Sequence, residues 1–226
     1  MKRSRLNIIM RTADDFLRHR QFHLPPFAYW SPEEWGRRGA EVQEIPDRRL
    51  GWDITDFCQE DYERIGLLVF TLRNGQPGGQ GKNYCEKILV VGMDQVTPMH
   101  FHWFKTEDII NRGGGKLAVQ LHNAAHDETL ANTPVHVQLD GELRTVEAGT
   151  ILLLAPGESI TLEPYCYHKF WGVGERVLVG EVSKVNDDNT DNRFLEPVGR
   201  FPAIEDDEAP LHLLVNDYDR YYRPSR

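Results

Sequence analysis

The rhythm of apolar and polar positions changes near residue 48. Before it, Leu6, Ile9, Met10, Phe16 and Leu17 recur at helical spacing, so residues 2–22 are expected to form an amphipathic helix. Pro25 and Pro26 stop it, because proline lacks the amide hydrogen the helical ladder needs. Ser31-Pro32-Glu33-Glu34-Trp35 reads as a short second helix, with serine as the N-cap and proline in the first position. After residue 48, short β-rich runs alternate with Gly, Pro, Asn and Asp. Strands are expected at 50–54, 64–72, 83–92, 98–104, 116–122, 134–139, 142–146, 150–154, 159–163, 166–172 and 176–183. Asn74-Gly75, Asp140-Gly141 and Pro156-Gly157 mark turns, and Gly113-Gly114-Gly115 is expected to turn the chain into strand 116–122. Many short strands at close spacing point to an all-β sandwich or barrel. One domain is expected, with residues 1–47 as a helical extension packing on a barrel formed by 48–226. The polar stretch from Asp187 is expected to be irregular.

Composition narrows the function. A chain of 226 residues can bury a core without disulfides, and its 40% apolar and 27% charged residues are ordinary for a globular protein. A net charge of −9 argues against a nucleic-acid partner held through phosphates. The cysteines Cys58, Cys85 and Cys166 are odd in number and form no Cys-x-x-Cys, which fits a reducing compartment better than a disulfide scaffold. No secretory leader is read at the N-terminus and no apolar run can span a bilayer, so a cytoplasmic location and no membrane partner are expected.

The chemistry concentrates in Met99-His100-Phe101-His102-Trp103. On a strand, His100 and His102 share a face, because side chains alternate with period two. Two imidazoles on one face can grip a metal ion, yet a lone His-x-His also arises by chance. Glu107 cannot share that face by alternation and has to return from a turn or the next strand. The spacing of His100, His102, Glu107 and Gly114 resembles the first motif of the cupin superfamily, with Gly92 standing for the glycine ahead of it. Gly149, Pro156-Gly157 and His168 resemble the second motif, although Lys169 stands where that motif has asparagine. The resemblance implies a cupin double-stranded β-helix barrel over roughly 83–183, with His100, His102, Glu107 and His168 as metal ligands. The other histidines read as surface or core residues, with His122 the one that could face the barrel interior.

Three imidazoles and a carboxylate suit a borderline divalent ion: Mn, Fe, Co, Ni or Zn. Glu181 is a lone carboxylate in the apolar run Leu178-Val179-Gly180-Glu181-Val182, either turned outward or an inward-facing base. Lys105 shares parity with neither histidine, so a turn has to aim it inward. These residues, with Asn186-Asp187-Asp188 and Asp191-Asn192-Arg193-Phe194, make the chain similar to the cupin-type D-lyxose isomerases over nearly its whole length. That resemblance implies a Mn²⁺-dependent aldose–ketose isomerase acting on a small neutral sugar. It would interconvert D-lyxose with D-xylulose and D-mannose with D-fructose. It further implies Glu181 as the proton-transfer base, Lys105 to stabilise the developing oxyanion or relay a proton between O1 and O2, Asp188 and Arg193 to bind distal hydroxyls or assist ring opening, and a homodimer. The rival readings are an Fe(II)-dependent cupin dioxygenase, a cupin sugar-phosphate isomerase, and a non-catalytic sugar-binding cupin.

Overall fold

The computed structural model describes residues 1–224. Its helices are α1 (Arg3–His19), α2 (Pro32–Trp35), α3 (Glu44–Asp47) and α4 (Tyr218–Tyr221). Twelve strands follow one another as β1 (Gly51–Thr55), β2 (Leu67–Asn74), β3 (Tyr84–Val91), β4 (Thr97–Phe101), β5 (Glu107–Ala124), β6 (Leu130–Ala131), β7 (Val135–Leu139), β8 (Glu142–Val146), β9 (Ile151–Leu154), β10 (Ser159–Leu162), β11 (Cys166–Lys184) and β12 (Arg193–Phe194). The expected Ser31 cap is present as a full capping box: Glu34 N–H donates to the serine hydroxyl, and Ser31 N–H donates to the Glu34 carboxylate.

The strands form an all-β antiparallel barrel with the helical extension against it. β5 and β11 run through both of its walls. One wall follows the order β1-β2-β3-β11-β5-β10-β7-β8; β4 joins the other end of β11 and carries β12, while β9 and β6 join the other end of β5. The first half of β11 pairs with β4 and the second half of β5, while its second half pairs with β3 and the first half of β5. The inner core holds Leu67, Val69, Leu89, Val91, Ile109, Val119, Ile160 and Val179. The opposite face of β1, β2 and β3 offers Ile54, Leu68, Phe70, Ile88 and Val90 to Leu6, Ile9, Met10, Ala13 and Leu17 of α1. Covered on both faces, β2 reads as a continuous apolar run rather than an alternating one.

One expectation needs correction. Residues 113–115 do not turn the chain, and the strand continues through them. Gly113 and Gly114 stay paired with Leu178 and Val177, and register shifts in β11 absorb the irregularity. Gly114 has φ +101°, and a Cβ on it would lie 2.1 Å from the Arg176 carbonyl oxygen, so only glycine allows the strands to approach this closely. The C-terminal stretch is largely irregular, as expected, and its side chains still build a core. Leu213, Val215, Tyr218 and Tyr222 pack around Trp35. Asp217 meets the guanidinium of buried Arg3 through two hydrogen bonds of 2.8 Å, tying this stretch to α1.

Candidate active site

Strand pairing assembles the histidines. β4 lies beside β11 so that His100 sits directly across from His168. Their ring centroids are 4.2 Å apart, and His102 is 5.3 Å from His100 and 5.7 Å from His168. β4 ends at Phe101, earlier than expected, so His102 already belongs to the following turn. That turn is fastened by Asp191, whose carboxylate accepts the amides of Phe104 and Lys105 at 2.9 and 3.0 Å. The same turn aims Lys105 inward and delivers Glu107 as the first residue of β5.

Each imidazole is fixed by a backbone carbonyl. His100 Nδ1 lies 2.7 Å from Pro98 O, His102 Nδ1 2.7 Å from Asp191 O, and His168 Nδ1 3.0 Å from Cys166 O. An Nδ1–H that donates to a carbonyl leaves the Nε2 lone pair free, which is the tautomer a metal requires. One nitrogen from each ring lies within 4.8 Å of the others, so the buried group can bind a metal ion. His168 Nε2 has no hydrogen-bond partner despite its burial, a cost that an ion at the centre of the three rings would remove. Glu107 Oε1 adds an oxygen donor 3.3 Å from His102 Nε2 and 3.1 Å from His168 Nε2. With three nitrogens and one carboxylate, the donors present fit a borderline divalent ion.

The electrostatics are those of a buried, charged pocket. Burial, followed by the neighbouring His168 and His102, drives the pKa of His100 far below the ordinary range, so the ring is neutral. Burial pushes the Glu107 carboxyl up, but Lys105 and His102 overcome it and hold the group ionised. Lys105 bridges two carboxylates, at 2.7 Å to Glu107 and 2.9 Å to Glu181, which together outweigh burial and keep it charged. Asp188 is likewise held well below the usual carboxylate range: Arg200, Lys87 and Lys105 prevail over burial.

His100, His102, Lys105, Glu107, Glu181 and Asp188 thus line one cavity. Arg193 does not join them. It alternates with the inward Phe194 on β12, and its Nε donates to Glu128 at 2.8 Å on the outside. The guanidinium in the cavity is that of Arg200, 2.5 Å from Asp53 and 3.6 Å from Asp188, with Nη1 buried and unpartnered. Sequence reasoning passed over Arg200, whose irregular segment carries no periodic signal. It also passed over Lys87, although a lone lysine in Tyr84–Val91 offers the same clue as Glu181. His122 follows the inward Leu121 on β5 and therefore lies on the outer face. A groove of about 540 Å³ beside α1 is lined by Arg5, Glu63 and Arg176 among others, but holds no histidine.

The family model described as D-lyxose isomerase matches residues 1–218. A D-lyxose/D-mannose isomerase of Serratia proteamaculans is 53% identical over 98% of this chain and 99% of its own. One from Escherichia coli O157:H7 is 48% identical over 98% of this chain and 100% of its own. Among solved structures, the ligand-free L-ribose isomerase of Cellulomonas parahominis superposes with a TM-score of 0.60 at 15% identity, covering 91% of this chain and 98% of that one. The L-ribose isomerase of Acinetobacter sp. DL28 in complex with L-ribose gives 0.60, also at 15% identity, with the same coverage. At such identity the likeness is one of fold, and it agrees with a cupin-type barrel. Among the described residues, no helix is long and apolar enough to cross a membrane.

Proposed function

The chain belongs to the D-lyxose isomerase family of aldose–ketose sugar isomerases, and from that premise we propose that it interconverts D-lyxose with D-xylulose and D-mannose with D-fructose. The carrying observation is a single ion-paired run, Glu107–Lys105–Glu181, which joins the histidine cluster to a second buried carboxylate. Such a run supplies the two things an enediol route needs: a base for carbon and a proton carrier for oxygen.

His100, His102, His168 and Glu107 would hold a divalent ion, for which Mn²⁺ is our choice. Bound there, it supplies Lewis-acid polarisation of the sugar's C1 and C2 oxygens. Glu181 removes the C2 proton of the open-chain aldose, and the electron pair forms the C1–C2 double bond of the enediol. Lys105 passes a proton between O2 and O1, and Glu181 returns its proton to C1 to give the ketose. Arg200, in place of Arg193, takes the distal hydroxyls together with Asp188. Its unpartnered Nη1 is a donor awaiting an acceptor. Four carboxylates (Asp53, Glu107, Glu181 and Asp188) face three cations here, which suits a neutral sugar better than a phosphorylated one.

The test is anaerobic turnover by the Mn²⁺-reconstituted protein on a panel of pentoses, hexoses and hexose phosphates. Ketose from lyxose and mannose without oxygen is the expected result, and none from either would sink the reading. Glu181→Gln should lower kcat by at least about 10³-fold with its metal content retained. Near-normal turnover by this variant would remove Glu181 as the base.

A further inference from the structure

We propose that Lys87 and Asn186 are positioning residues that orient the Glu181 carboxylate and so leave Lys105 free to serve the sugar oxygens. The inference rests on the reading of Glu181 as base, and its starting point is an asymmetry in that carboxylate. Among the described residues, both hydrogen bonds to it enter at Oε1, from Lys105 Nζ at 2.9 Å and Ser183 Oγ at 3.3 Å, and Lys87 Nζ forms its ion pair with the same oxygen at 3.2 Å. None goes to Oε2. A carboxylate saturated at one oxygen is fixed in rotation, and the other oxygen keeps its lone pairs for the substrate.

Lys87 and Lys105 are equivalent in charge but different in setting. Lys105 spans Glu107 and Glu181 and belongs to the turn after β4. Lys87 lies on β3, between Cys85 and Leu89 on the same face, and is itself 5% exposed. Its strand pairs with β11 so that Lys87 stands directly across from Glu181. A cross-strand pair is held in register by the two strands that carry it. Lys87 also donates to Asn186 Oδ1 at 2.6 Å, and the same oxygen lies 3.3 Å from Lys105 Nζ. Asn186 is anchored in turn by Asn74 of β2. Asn186 N–H donates to Asn74 Oδ1 at 3.0 Å, and Asn74 Nδ2 donates back to Asn186 O at 3.0 Å. Asn74, Asn186 and Lys87 therefore form a strut from β2 and β3 to the base.

The consequence is a division of labour. Were Lys105 the sole cation on Glu181, moving toward a sugar oxygen would strand an ionised carboxylate in a buried site. Lys87 holds that charge throughout, so Lys105 can exchange Glu181 for the O1/O2 pair without that cost. Neither Lys87 nor Asn186 is required to touch the reacting atoms.

The experiment compares wild type with Lys87→Met, Lys87→Arg and Asn186→Ala, each Mn²⁺-reconstituted, on whichever aldose the wild type converts. Lys87→Met should lose about 10²-fold in kcat, the scale of a misplaced catalytic group. Its KM should stay within about threefold of wild type and its metal content unchanged. With aldose deuterated at C2, the isotope effect on kcat should rise above the wild-type value, because proton abstraction becomes the slow step. Lys87→Arg should recover much of the loss, and Asn186→Ala should show a smaller defect of the same kind. A Lys87→Met loss confined to KM or metal content would overturn the inference, as would an unchanged isotope effect. Should Lys87→Met not fold, a normal kcat and isotope effect in Asn186→Ala would overturn it equally. Failure of Glu181→Gln to lose activity is a separate outcome, which removes the base itself.

Discussion

The decisive residue-scale fact is that the three histidine Nδ1 atoms are occupied by backbone carbonyls, leaving three Nε2 atoms facing one another. His168→Ala should therefore lose bound metal on dialysis while keeping its circular dichroism spectrum. Retention of one equivalent would show that the other three donors suffice. The neutral state of His100 has a pH consequence for the metal-stripped protein. A buried ring whose pKa is depressed takes up no proton where the unfolded chain does, below about pH 6.5. The unfolded state then binds more protons, so stability falls as pH falls. The Tm of stripped protein should decline between pH 7 and 5, and added Mn²⁺ should raise it at pH 7, because the ion binds the assembled site alone. A Tm that is flat across that range would contradict a neutral His100.

At the scale of elements, β5 and β11 do most of the positioning. β11 carries His168 in one half and Glu181 in the other, and β5 begins with Glu107. The register of β5 against β11 shifts at Gly114, between the two halves of each strand. Gly114→Ala adds a Cβ that collides with backbone at a φ already unsuited to alanine. The conformation alone costs about 1–3 kcal/mol, and the collision adds to it. Gly141→Ala is the control. It also has positive φ, at the β7–β8 turn, but a Cβ there meets nothing within 4 Å. Denaturant titration should find Gly114→Ala clearly the less stable of the two. Equal losses would mean that the strand crossing has room to relax.

For the whole molecule, the chain ends are clamped together behind the barrel. Arg3 bonds Asp217 twice and Asp206 once, with only 2% of its side chain exposed. Removing one partner leaves a buried charge unpaired, so Asp217→Ala should destabilise by about 3–5 kcal/mol. For a domain of this size that is a fall of roughly 10 °C in Tm. Because α1 packs on the face of β1, β2 and β3 that points away from the cavity, kcat below the transition should change little. A loss of activity with unchanged Tm would reverse that picture.

The sequence by itself determined what is local or periodic. The amphipathic spacing of Leu6 to Leu17, the capping box at Ser31, the Asp140-Gly141 hairpin and the shared face of His100 with its neighbours all follow from bonds within a few residues. The His-x-His, Glu107 and Gly114 spacing was legible for the same reason, since one turn and one strand set it. Tertiary structure decided whatever depends on which strands become neighbours. It placed Lys87 across from Glu181, brought Arg200 rather than Arg193 into the cavity, and made a triple glycine a close crossing instead of a turn. Those outcomes are set by pairing between segments as many as about a hundred residues apart, where the cost of loop closure is met by burial spread over the whole barrel. No window of sequence contains that balance.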